Sequence, residues 1–346
     1  MRIIQAVLVA MLLLLVAACT KPDVTHRTTG RVFGTVVEVS IYGGSPERAA
    51  ELSRPVLAEF DRIHHKFHAW QPSMLTALND AIARGEPFTA DAEMVSLLQS
   101  ATVLANRSDN LFNPAIGHLI RLWGFQSSTF ERHDPAPAEI ARWVQANPRL
   151  SDLRYQGDVI TSTNKAVMID LGGYAKGYAL DRAALILRGA GVKAALVNVG
   201  GNVLAIGQPG TRPWMVGVQD PRGDGALVSV ALHDNEAMGT SGDYQRYFMA
   251  DGARHPHIID PRTGNTVDLV ASVTIITSGA SDAGLRSDGN TKPLFIAGPE
   301  HWEAMAARMG MDQVLLIDAD KRFLMTPAMR ARLRTPSQNA LSKPGT

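Results

Sequence analysis

The chain has one cysteine in 346 residues, Cys19. If the N-terminus uses it, none remains for a disulfide, a structural zinc site or thiol catalysis. Charge is nearly balanced: 34 lysines and arginines against 33 aspartates and glutamates, formally +1. There is no basic run, so nothing points to nucleic acid, and no partner is named by charge. No repeat of about 20–50 residues recurs, which excludes solenoids and propellers. Long apolar runs are also missing, except for Ala6 to Ala18. That run is too short to span a bilayer comfortably. What the chain does have is 45% hydrophobic residues, enough for one large domain or two moderate ones.

The apolar run follows Arg2, as a signal h-region follows its positive n-region. It ends in Val16-Ala17-Ala18-Cys19, which resembles a bacterial lipobox. The expectation is a lipoprotein signal over residues 1–18, lipidation of Cys19 and a tether over 19–29. The domain is then expected over 30–334, with a disordered tail over 335–346. Thr20, where Asp would mark retention, points to the outer rather than the inner membrane, with the protein on the periplasmic side. An ordinary signal peptide with an incidental cysteine is the alternative.

Arg31 to Tyr42 alternates as a strand, with Phe33, Thr35, Val37, Val39 and Ile41 on one face. A helical stripe follows from Ala49 to Ile63, with Pro55 expected to kink it. Asp91 reads as an N-cap for a helix to about Ala105. Leu111 to Pro114 reads as extended, and Ile116 to Trp123 as a short helix. Val159 to Thr161 and Ala166 to Ile169 are expected to pair as a hairpin. Another hairpin is expected to bring Tyr244 to Met249 beside His257 to Ile259. A helix should run from about Tyr174 to Leu187. Further strands are expected at 194–199, 203–206, 214–218, 227–232, 270–277, 294–297 and 314–317, and a helix over 299–309. Hairpins mixed with helices argue for an α+β fold.

Four segments carry candidate chemistry. Asp170-Leu171-Gly172-Gly173-Tyr174-Ala175-Lys176 places a carboxylate, a glycine turn and an ammonium at one strand-to-helix corner. Backbone N–H groups there can face an anion, and Lys176 can reach a phosphate. A plain glycine turn with a surface lysine is the alternative. The segment fits neither the P-loop pattern nor the dinucleotide GxGxxG pattern. Gly239-Thr240-Ser241-Gly242-Asp243-Tyr244 is also compatible with ordinary turn chemistry. His257-Ile258-Ile259-Asp260-Pro261-Arg262-Thr263-Gly264 is more specific. Asp260 and Arg262 can pair across a turn, leaving His257 as a proton acceptor or phosphate donor; a structural histidine is the alternative. Asp288, in Ser287-Asp288-Gly289-Asn290-Thr291-Lys292, suits a hard cation, or simply a turn. His64, His65 and His68 lack a zincin pattern and read better as a helix end.

Taken in order, DLGGYAKGYALDRA, NVGGN, TSGDY and HIIDPRTG resemble the ApbE family of FAD:protein FMN transferases. The match covers about Arg31 to Gly310 and includes Phe33-Gly34-Thr35, Trp70-Gln71-Pro72-Ser73 and Phe112-Asn113-Pro114. The resemblance implies an ApbE or T-fold-like arrangement of mixed, largely antiparallel sheets flanked by helices. A flavin nucleotide site is implied in a cleft between two subdomains. It also implies Mg²⁺-dependent transfer of FMN from FAD to a threonine or serine hydroxyl, releasing AMP. The acceptor would be a periplasmic flavoprotein domain, in a redox-complex subunit or a respiratory regulator. By position, Phe33, Trp70, Phe112, Asn113, Asp170, Lys176 and Ile258 would bind FAD, and His257 would be the base. Gly173 (through its carbonyl), Asp288 and Thr291 would hold the metal. The family's threonine four residues after the metal aspartate is replaced here by Lys292. Thr291 could then supply the oxygen, Lys292 could contact phosphate itself, or metal binding could weaken. Asp282 is a second-ranked metal aspartate. Hydrolysis of FAD and non-catalytic FAD binding are the competing readings.

Overall fold

The computed structural model describes residues 24–127, 133–250 and 252–334; the signal segment, Cys19 and the tail lie outside them. The first part of the chain forms β1 (Thr25–Val32), β2 (Thr35–Tyr42), α1 (Pro46–Lys66), α2 (Met74–Arg84), β3 (Phe88–Thr89), α3 (Ala92–Arg107), α4 (Gly117–Leu122) and α5 (Pro137–Ala146). Next come β4 (Leu153–Gln156), β5 (Val159–Ser162), α6 (Ala175–Gly189), β6 (Ala195–Val199), β7 (Asn202–Ile206), β8 (Trp214–Gln219), β9 (Ala226–Leu232) and β10 (Glu236–Gly242). The remainder is β11 (Tyr247–Ala250), β12 (Ala253–Pro256), β13 (Val270–Ser278), α7 (Ala283–Gly289), α8 (Thr291–Met309), β14 (Val314–Asp318), β15 (Phe323–Met325), α9 (Pro327–Arg332) and β16 (Leu333–Arg334).

An eight-stranded antiparallel sheet, in the order β1-β2-β6-β7-β10-β13-β14-β15, forms the frame. β13 is buried along nearly its whole length because both faces of the sheet are covered. Helices α1, α6, α7 and α8 lie on one face, over Val37, Val39, Val197, Val273 and Ile275. The small sheet β16-β9-β8 covers the other, where Trp214, Val216 and Val230 meet Val203, Ala271 and Ile276. This is the α+β class expected, with antiparallel sheets flanked by helices.

Four local expectations are revised. Thr25 to Thr29, read as tether, belong to β1 and pair with β2 across the Phe33-Gly34 turn. Pro55 does not interrupt α1. Its ring faces solvent, where water can satisfy the carbonyl it leaves unpaired, while Val56, Phe60 and Ile63 bury the opposite stripe. β5 pairs with β3 and β4, not with 166–169. Met168 instead bridges to Ile116 in parallel. Leu294 to Ala297 is the first part of α8, not a strand. A four-residue apolar run buried all round has no periodicity to separate strand from helix. Non-helical Gly298 (φ 74°) then kinks α8 where the Pro299 helix was expected to begin.

Candidate functional site

The corner between Asp170 and Lys176 is held from three sides. The segment ending in Asp170 lies along residues 114–117, with Met168 N–H donating to Ala115 O and Asp170 N–H to Pro114 O. Asn79 brackets Ile169, accepting its N–H at 2.7 Å and donating to its carbonyl at 2.9 Å. Behind the glycines, buried Tyr174 packs on Phe112 at 5.3 Å and hydrogen-bonds Ser100. Phe112 and Asn113 therefore support the corner rather than line it. Phe112 is buried in the core, and the Asn113 side chain caps Ala115 N–H and donates to Pro148 O.

Asp170 Oδ1 accepts the Gly172 N–H at 2.8 Å, which closes the turn. The Trp70 and Gln126 side chains and the Arg246 guanidinium also face this carboxylate. Burial pushes its pKa up, opposed by the Gly172 N–H bond and the Arg246 charge. Trp70 is half-exposed, stands under Arg246 at 5.3 Å, and lines a cleft of about 550 Å³ together with Asn79, Gly124, Gln126 and Met168. The cleft is within the usual size range of ligand pockets. His68 sets the Trp70 turn, with Nδ1 accepting the N–H of Trp70 and of Gln71 at 3.2 Å. Phe33, at φ +57°, packs against Phe60 and His64.

His257 sits at the foot of the β11–β12 hairpin, opposite Arg246 and just beyond the end of β12. Its N–H donates to Arg246 O at 3.0 Å, and its Nδ1 lies 3.2 Å from the same carbonyl. A carbonyl can only accept, so Nδ1 carries the hydrogen and Nε2 keeps its lone pair. Burial, with Arg246, Lys176 and Lys292 nearby, pulls the imidazole down to about 3. It is therefore neutral at pH 7. Ile258 is buried core, its carbonyl bonded to Val267 N–H. Asp260 and Arg262 form the expected pair, at 2.7 Å. Asp243 of the TSGDY segment is buried and bonded to Arg222 and Arg254, which fixes the β10–β11 connection.

Helix α7 closes the site from the sheet side. Asp288 is almost fully buried. One carboxylate oxygen accepts the Gly177 N–H at 3.0 Å, and the other pairs with Lys292 Nζ at 2.5 Å. Lys292 Nζ also donates to Asp288 O at 2.7 Å. Burial lowers the Lys292 pKa, and Asp288 opposes that shift. Thr291 is fully buried; its hydroxyl bonds Asp288 O and Ser241 Oγ, both at 2.7 Å.

These contacts engage two of the three residues of the expected metal set. Thr291 turns into the core, because residue i+3 back-bonds to its own helix here. Asp288 is engaged on both oxygens, so only the Gly173 carbonyl remains of the three ligands. The residues present do not form a Mg²⁺ cage. Among the described residues, no group of three His, Cys, Asp or Glu side chains could hold a metal. Asp282 stands at the start of α7 beside Arg286, on the solvent side.

Arg246 and Gln126 were not marked by the sequence. Arg246 lies in a segment read as a strand and Gln126 just beyond one read as a helix, and only folding brings them to Asp170. Lys292 and Asp288 were both visible, one as a departure from a pattern and the other as a metal candidate, but their pairing was not.

A family model described as the ApbE family matches residues 33–315. An FAD:protein FMN transferase of Rhodobacter capsulatus is 41% identical over 312 residues, covering 90% of this chain and 58% of the relative. One from Treponema pallidum is 31% identical over 324 residues, covering 88% and 87%. The crystal structure of the ApbE protein from Thermotoga maritima superposes with a TM-score of 0.81 at 31% identity, covering 90% of this chain and 100% of that one.

Proposed function

Because the chain belongs to the ApbE family, we propose that it transfers FMN from FAD to a threonine or serine hydroxyl of a flavoprotein domain, releasing AMP. One observation carries this reading. Arg246, Lys176 and Lys292 converge on a neutral His257, beside a helix N-terminus built on glycines. That is a cradle for a compact polyanion with a base at its rim.

Lys176, Lys292 and Arg246 screen the charge of the diphosphate that the acceptor must approach. The acceptor oxygen bonds to the FMN-side phosphorus, and the bond from that phosphorus to the bridging oxygen breaks. The bridging oxygen leaves with AMP. The hydroxyl proton passes to His257 Nε2, held ready because Nδ1–H is tied to Arg246 O. When the anionic substrate neutralises the neighbouring cations, the imidazole becomes more basic, at the step where a base is required. Asp170 and Trp70 orient the nucleotide in the adjoining cleft. Asp288 and Thr291, two of the three expected ligands of a divalent ion, are engaged within the protein.

The test is direct. The protein is incubated with FAD and a flavoprotein domain bearing the acceptor hydroxyl, and the acceptor's intact mass is measured. A gain of one FMN with stoichiometric AMP is expected. Free FMN and AMP without modification would make the protein a hydrolase, and FAD bound but unchanged would make it a carrier.

The N-terminal pattern adds a proposal of place. Lipidation of Cys19 holds the domain on the periplasmic side of a bacterial membrane. Cys19→Ser should move the protein from the membrane fraction to the soluble fraction; unchanged fractionation would overturn the anchor. Among the described residues, no helix is long and apolar enough to cross a membrane.

A further inference from the structure

We propose that the Lys292 ammonium stands, as part of the chain, where a divalent cation would otherwise sit in this cradle, so that FAD uptake and FMN transfer need no divalent metal. The inference rests on the transferase reading above.

The geometry is specific. Lys292 follows Asp288 by four residues, so the two side chains share one helix face. Nζ takes Asp288 Oδ1 at 2.5 Å and the Asp288 carbonyl at 2.7 Å. Its Cε comes within 3.1 Å of where a Cβ would stand on Gly173. Lys292 therefore lies between two residues of the expected ligand set, Gly173 and Asp288. The third, Thr291, faces Ser241 inside the core. The second Asp288 oxygen is closed by Gly177 N–H. A divalent ion could enter only by displacing Nζ from Asp288, and would then stand beside three side-chain cations.

The charge balance is also met without a metal. Lys176, Lys292 and Arg246 supply three positive charges against Asp170 and Asp288, leaving the cradle net positive for a diphosphate. An ammonium held by two hydrogen bonds keeps a third donor for a phosphate oxygen. With a threonine at this position, the same backbone would offer a hydroxyl instead of a cation.

The test uses the full chain. FAD binding is measured by calorimetry in EDTA and in magnesium, and Mn²⁺ alone is titrated by electron paramagnetic resonance. Wild-type affinity for FAD should agree within about twofold between the two buffers, with no stoichiometric Mn²⁺ bound. Lys292→Met should weaken FAD binding about tenfold or more in both buffers, while Lys292→Arg retains most of the affinity. Lys292→Thr should bind Mn²⁺ and make FAD uptake metal-dependent. The Met variant and the wild-type buffer comparison decide the matter even if the Thr variant does not fold. A wild-type requirement for magnesium of about tenfold or more, or Lys292→Met binding FAD like wild type, would overturn the proposal. No FAD uptake in any buffer would instead remove the transferase reading, and this inference with it.

Discussion

His257→Ala is expected to lower FMN transfer by about 10²- to 10⁴-fold, the usual contribution of a positioned general base, while leaving FAD affinity nearly unchanged. The imidazole is neutral, so its loss removes no charge from the cradle, and Lys176, Lys292 and Arg246 remain. Its pH behaviour follows from the same surroundings. The pKa of about 3 in the free protein lies below the ordinary histidine value, so the base form persists well into acid. The acid limb of kcat/KM should therefore fall well below pH 6.5, whereas the limb of kcat, which reports the substrate-bound form, should lie at higher pH. Single-turnover transfer measured across pH with both proteins checks these expectations. Equal transfer by the alanine variant would take the base role from His257. A kcat/KM limb centred near pH 6.5 would show that the imidazole is not held among cations.

Gly177→Ala is expected to cost the fold about 3 kcal/mol or more, at the upper end for overpacking. A Cβ there would stand 2.3 Å from the Gly284 carbonyl oxygen and 2.7 Å from Asp288 Cβ. Neither is the end of a flexible side chain, so α6 and α7 must separate. That movement would also break the Gly177 N–H bond that locks Asp288. A fall in Tm on the order of 5–10 °C is expected, with loss of FAD binding. Gly189→Ala is the control, because a Cβ there meets nothing within 4 Å; it should be neutral or slightly stabilising. A Gly177→Ala protein as stable as wild type would show that the α6–α7 contact is not tight.

Much of the frame was legible because its strands alternate or run apolar between turn residues. Val270 to Thr277 and Val314 to Ile317 read as strands, and both are strands. Asp91 caps Met94 N–H as its position implied. Leu294 to Ala297 was misread because burial on all sides erases the periodic signal. The hairpin near His257 turns between Ala250 and Ala253 as expected, but its second strand is Ala253–Pro256, ahead of the apolar run at Ile258-Ile259.

At the site, the chain's own order of residues marked the candidate groups: the Asp170 carboxylate, the glycine corner, Lys176 and His257. Local spacing suffices for these, since each lies within a few residues of the turn or helix end that presents it. The tertiary structure alone decided which groups face them. It brought Arg246 to Asp170, turned Thr291 into the core and set Lys292 on Asp288. Side-chain direction at those positions depends on packing between α6, α7 and β10, which no local pattern encodes.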